Sequence, residues 1–131
     1  MSDESAAARG GEMSPPAPRG CASFGDVLEV IQVGAVTVTR RYGCTRRDQY
    51  ELRAPRPFPP ALRERLEVRG ASRGGPDLYV IDEPGAFQLT VAPKSARALM
   101  MPRLATQLES QRDTALSLAG IVDELLAQAS I

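Results

Sequence analysis

The sequence predicts an α+β domain: two β-hairpins forming an antiparallel sheet with helices packed on one side, in the order α-β-β-α-β-β-α. Three observations carry that expectation. Apolar and polar residues alternate at period two in two paired regions, around 36–52 and 78–91. Apolar residues recur at steps of four and three through the last quarter of the chain. Short turns, not crossover helices, separate the period-two segments, so neighbouring strands run antiparallel.

The chain has 131 residues, one domain's worth. Residues 1–20 are dominated by Gly, Pro, Ala and Ser, with no aromatic or β-branched residue. Such a segment cannot bury enough apolar surface to offset its ordering entropy, so it is expected to be a disordered tail. It has no basic start followed by an apolar run, and so does not read as a secretory signal. Residues 21–131 are then a single α+β domain.

Ser23-Phe24-Gly25-Asp26 has the form of a helix start, with Phe24, Val27, Leu28 and Ile31 on one face. The competing reading is a strand over 27–33, because Val30, Ile31 and Val33 are β-branched. The cap signal favours the helix. From Ala35 the period becomes two, and Val36 and Val38 face away from Thr37 and Thr39. After a polar turn at 43–48, Tyr50 and Leu52 belong to a returning strand. Pro55, Pro57, Pro59 and Pro60 forbid regular structure, but Pro60 suits the first turn of a short helix through Leu62 and Leu66. Residues 70–76 read as a loop.

The second hairpin joins Leu78–Ile81 to Phe87–Val91 through Asp82-Glu83-Pro84-Gly85, where Pro-Gly suits a type II turn. That turn twists the wrong way for a tight two-residue hairpin, so a longer loop is the other reading. A Glu83–Ala86 pairing puts Leu78 and Val80 on one face with Phe87, Leu89 and Val91. Residues 95–101 read as one or two helical turns before Pro102. The final helix, about 104–129, opens on a Thr106–Glu109 capping box. Leu104, Leu108, Gln111, Ala115, Leu118, Val122, Leu125 and Ala129 form its stripe, widened by Ile121 and Leu126. Gly120 suggests a close approach by another element. The element order resembles that of several small folds, bacterial secretion chaperones among them, without any family motif.

Charge and chemistry narrow the function. Sixteen basic residues balance sixteen acidic ones, against a bulk nucleic-acid-binding role. All the basic residues except Lys94 are arginine, which fits a GC-rich coding sequence. With no histidine, Ser-His and Cys-His nucleophile pairs are excluded, and Cys21 and Cys44 cannot complete a familiar zinc site. No cofactor or metal is expected. Cytoplasmic placement, with both thiols reduced, is the expectation, and no membrane span is present. Adjacent Asp82 and Glu83 point to opposite sides of a strand, and Lys94 reads as a solvated strand-end lysine. Cys44, beside Arg46 and Arg47, is the one thiol with a local reason to be reactive.

Two places offer a partner something to bind. The last helix has more apolar surface than a small sheet needs, so Leu118, Ile121, Val122, Leu125 and Leu126 are candidates for a protein interface with a second copy or another protein. The first hairpin gathers Arg40, Arg41, Arg46, Arg47, Arg53 and Arg56, a candidate phosphate or nucleic-acid contact to which Tyr42 and Tyr50 could add stacking surfaces. The expected function is a non-enzymatic protein-interaction module, an adaptor, chaperone-like or regulatory protein self-associating through the C-terminal helix. A phosphate or nucleic-acid binder using the arginine hairpin is the alternative. A thiol- or carboxylate-based small enzyme comes third.

Overall fold

Alternation at period two runs through more of the chain than the two hairpins. The computed structural model describes residues 25–43, 47–103 and 108–129. Strands β1 (Val27–Val33), β2 (Val36–Arg41) and β3 (Gln49–Arg53) lead to helix α1 (Ala61–Glu67). Strands β4 (Ala71–Gly74), β5 (Tyr79–Glu83) and β6 (Phe87–Ala92) follow. A 3-10 turn (Pro93–Ser95), strand β7 (Arg97–Pro102) and helix α2 (Leu108–Ala129) complete the order. The seven strands form one sheet in the order β1-β2-β3-β7-β6-β5-β4, with every pairing antiparallel. Two meanders therefore meet where β7 pairs with β3.

The register places apolar residues in a row across one face. Ile31, Val38, Leu52, Ala98, Val91 and Tyr79 are successive cross-strand neighbours, and all are buried. Helix α2 closes over this face with Ala115, Leu118, Ala119, Val122, Leu125 and Leu126, lying against β1, β2 and α1. Helix α1 adds Leu62 and Leu66, one turn apart. Burial of these side chains is the main force holding the helices to the sheet, at about 1.5–3 kcal/mol for each large one. Polar ties fix the orientation. Arg56 donates to the Leu126 carbonyl at 3.1 Å, and Arg65 meets Glu124 at 3.2 Å.

The α+β class, the antiparallel sheet and the helices on one side match the expectation, but the order α-β-β-α-β-β-α and the two-hairpin sheet do not. Residues 27–33 are strand, not helix. Gly34 takes φ +59° between Val33 and Val36, which suits the two-residue turn that pairs β1 with β2. The Ala35 N–H donates to Asp123 at 2.9 Å, fastening that turn to α2. Residues 71–74 form an edge strand where a loop was expected. Residues 97–102 form β7, because pairing on both sides outweighs the weak helical signal of 95–101.

The β5–β6 register follows the longer loop rather than the Glu83–Ala86 pairing. The Ala86 N–H donates to the Glu83 carbonyl at 3.0 Å, and Gly85 has φ +76°, as the Pro-Gly turn requires. The strand pair, however, is Glu83 with Phe87. One extra loop residue turns Tyr79 and Ile81 to the core and Leu78 and Val80 away from it. Nothing approaches the Cβ position of Gly120, so that glycine marks no close packing. The tail, Cys21, Cys44, Arg46 and the Thr106 cap lie outside the described residues.

Candidate functional site

Only one face of the sheet is covered by the described helices. On the other, Val30, Thr39, Glu51, Leu99, Thr90, Val80 and Arg73 form a continuous cross-strand row. Most of these side chains are half-buried, and β-branched, charged and apolar residues alternate along the row. Near its centre lies a hollow of about 380 Å³, lined by Arg41, Gln49, Glu51, Thr90, Arg97 and Leu99.

Glu51 organises the charge in this hollow. Arg97 reaches its Oε2 atom through Nε at 3.1 Å and Nη2 at 2.8 Å. Arg53 Nε lies 3.5 Å from the same oxygen, and Arg41 Nη2 lies 3.8 Å from Oε1. The register explains the convergence. Arg53 is two residues along the same strand, whereas Arg41 and Arg97 are diagonal neighbours on β2 and β7. Arg53 and Arg97 are direct cross-strand partners, a like-charge pair that needs the intervening carboxylate. Three guanidiniums therefore share one carboxylate, and among the described residues no other acid pairs with them.

The covered face has its own charged group. Cross-strand neighbours Glu29 and Arg40 begin a row that continues through buried Tyr50, Met100, Leu89 and Ile81. The Glu29 carboxylate accepts from Arg40 at 3.2 Å and from Arg112 of α2 at 3.1 and 2.9 Å. Arg40 also donates to Asp48 at 2.9 Å, and Asp48 accepts from the Gly43 N–H at 3.2 Å. Burial by itself would raise the Glu29 carboxyl, but hydrogen bonds and charge from Arg112 and Arg40 prevail and hold it below the usual carboxylate range. Burial pushes the Tyr50 hydroxyl up to about 12. Each acid here faces a base, so the group acts as a brace between β1, β2 and α2.

The hairpin arginines therefore separate. Arg40 belongs to the buried brace, and Arg41 and Arg53 to the open face. Arg47 donates to the Arg103 carbonyl at 3.1 Å, and Arg56 to that of Leu126. Tyr50 is fully buried and offers no stacking surface. On α2, Leu118, Val122, Leu125 and Leu126 are buried, and Ile121 packs against the same core. An interface built from those five side chains would require α2 to leave the sheet.

Arg97, Glu51 and the Glu29–Arg112 link were not singled out from the sequence. Their meeting depends on the β3–β7 pairing and the packing of α2, which no local spacing encodes. Asp82 turns to the open face, where Arg103 and Arg73 approach it, and Glu83 lies near Arg69. Lys94 is exposed and meets Asp77 at 3.0 Å. A second hollow, about 340 Å³, lies between Phe58, Pro59, Pro60, Tyr79 and Pro93 beneath Arg63, whose guanidinium lies 4.8 Å from the Tyr79 ring centre.

No group of three or more metal-ligating side chains occurs among the described residues, and no described helix is long and apolar enough to cross a membrane. No protein-family model matches the chain, and neither a curated protein nor a solved structure matches it.

Proposed function

We propose that the protein is a non-enzymatic interaction module of the cytoplasm, an adaptor or regulatory protein that receives an acidic segment of another protein on the open face of its sheet. The observation that carries this reading is the 380 Å³ hollow on the uncovered face, lined by Arg41, Arg97 and Glu51, with Arg53 approaching the same carboxylate beside it. A partner that brings negative charge relieves the repulsion between Arg53 and Arg97 and covers Leu99 and Val80. A second copy of the chain suits this face less well, because both copies would present the same positive excess.

Nucleic-acid binding is less favoured than an acidic protein segment. Arg40 is paired inside the fold, Arg47 and Arg56 bind backbone carbonyls, and Tyr50 is buried. What remains is a cluster rather than a phosphate-tracking groove lined with aromatic rings.

Affinity capture from the native lysate tests the reading with three proteins: the unaltered chain, Thr90→Glu at the centre of the open face, and Ser117→Glu on the exposed side of α2. The unaltered chain and Ser117→Glu should recover the same acidic partner, with or without nuclease, and Thr90→Glu should lose it. Recovery indifferent to Thr90→Glu would refute docking on this face. Recovery abolished by nuclease would favour the nucleic-acid alternative.

A further inference from the structure

We infer that the Arg41–Arg53–Arg97 cluster is a seat for a phosphoryl group, so that the partner segment docking on the open face bears a phosphorylated serine or threonine. This rests on the open-face reading above and specifies the chemistry of its ligand. Charge is the first argument. Three guanidiniums against Glu51 leave an excess of two positive charges. A phosphomonoester carries about −1.5 to −2 at neutral pH, whereas a side-chain carboxylate carries a single charge and leaves half of the excess uncompensated.

Donor geometry is the second argument. Arg97 uses Nε and Nη2 on one oxygen of Glu51, and Arg53 Nε lies at a long 3.5 Å from that oxygen. Among the described residues, Nη1 of Arg97 and both Nη atoms of Arg53 have no hydrogen-bond partner. These two side chains are 54 % and 58 % exposed, so their forks remain open to a ligand. A phosphoryl group offers three acceptor oxygens to such forks, and arginine binds it in a bidentate manner. Thr90 and Gln49 line the hollow beside the cluster and can accommodate the neighbouring peptide backbone.

Glu51 has a definite part in this arrangement. It is mostly buried, with its side chain 14 % exposed, and it holds the three arginines together while the seat is empty. It also competes with the ligand for their donors. Removing its charge should strengthen phosphoryl binding, the opposite of what loss of an ordinary ligand-contacting residue does.

The test titrates the full chain, labelled for arginine Nε–H NMR signals, with four probes. These are a blocked Ala-phosphoserine-Ala peptide, its unphosphorylated and glutamate counterparts, and inorganic phosphate. The phosphopeptide should bind roughly tenfold or more tightly than either counterpart, a discrimination expected when charge-assisted bonds are added. It should shift the Arg41, Arg53 and Arg97 signals and weaken as salt rises. Arg53→Gln/Arg97→Gln should abolish this preference with the circular dichroism spectrum unchanged, and Glu51→Gln should bind the phosphopeptide more tightly.

Equal affinity for phosphorylated and unphosphorylated peptides would overturn the inference. So would an unchanged preference in the double arginine variant, tighter binding of a single-stranded RNA homopolymer than of the phosphopeptide, or inorganic phosphate binding as tightly as the phosphopeptide. If those results coincide with Thr90→Glu still losing the captured partner, the phosphoryl seat alone falls. If Thr90→Glu also retains the partner, the open-face reading falls with it.

Discussion

Replacing Glu29 with alanine isolates the buried charged brace. The Glu29 side chain is 7 % exposed and accepts hydrogen bonds from Arg40 and Arg112, joining β1 to β2 and α2. Removing one member of a buried ion pair typically costs about 3–5 kcal/mol, because the remaining charge is left buried. Here Arg40 keeps Asp48 at 2.9 Å, and Arg112, a third exposed, can rehydrate. The expected cost therefore lies at the low end, about 3 kcal/mol. For a domain of this size, that lowers the melting temperature by roughly 10–20 °C.

The pH dependence supplies a second readout. The folded Glu29 carboxyl is held below its unfolded value near 4.5, so its stabilising contribution is complete above that value. As pH falls further, the unfolded chain protonates first, and the contribution disappears as pH passes through the lower folded value. Urea unfolding of the unaltered chain should thus show a steeper acid-side loss than Glu29→Ala. A cost below about 1 kcal/mol, as for a solvated surface pair, would refute the brace. Identical acid-side slopes for the two proteins would do the same.

Four further outcomes follow from the packing. Tyr50→Phe removes a buried hydroxyl with no hydrogen-bond partner among the described residues, so denaturant unfolding should show no loss and a gain of up to about 1 kcal/mol. Gly85→Ala meets open space and should cost only the left-handed backbone penalty, roughly 1–2 kcal/mol. Gly34→Ala should cost more, since its Cβ would run into the Asp123 carboxylate held by the Ala35 N–H, and pairing it with Asp123→Ala should remove that excess in a double-mutant cycle. Leu118→Ala should cost about 2–5 kcal/mol in unfolding free energy, as expected of a fully buried leucine; near-neutrality would show that the α2 stripe is not core.

Elements governed by local chemistry were legible in the sequence. Leu62 and Leu66 after Pro60, and the four-three spacing through α2, each predict the helix that forms. Alternation likewise marks β2, β3, β5 and β6. The remaining elements depend on contacts distant in sequence. The helix-start pattern Ser23–Asp26 outweighed the β-branched content of 27–33, although Gly34-Ala35 between two valines is itself a hairpin signal. In β5, a single additional loop residue reversed which side chains face the core. Arg97 lay in a stretch read as helical, so its place beside Glu51 emerges only from the pairing of β7 with β3, more than forty residues away in sequence. Within the arginine-rich hairpin, alternation sends Arg40 inward and Arg41 outward, and only the outward set joins Arg97.

Chemical-shift mapping with the captured partner tests the central claim most directly. Docking on the open face predicts that backbone amide signals of Thr39, Glu51, Thr90 and Leu99 move on binding, while those of Ser117, Ile121 and Leu125 on α2 stay in place. Shifts concentrated along α2, with the sheet signals unmoved, would contradict it and return the binding surface to the C-terminal helix.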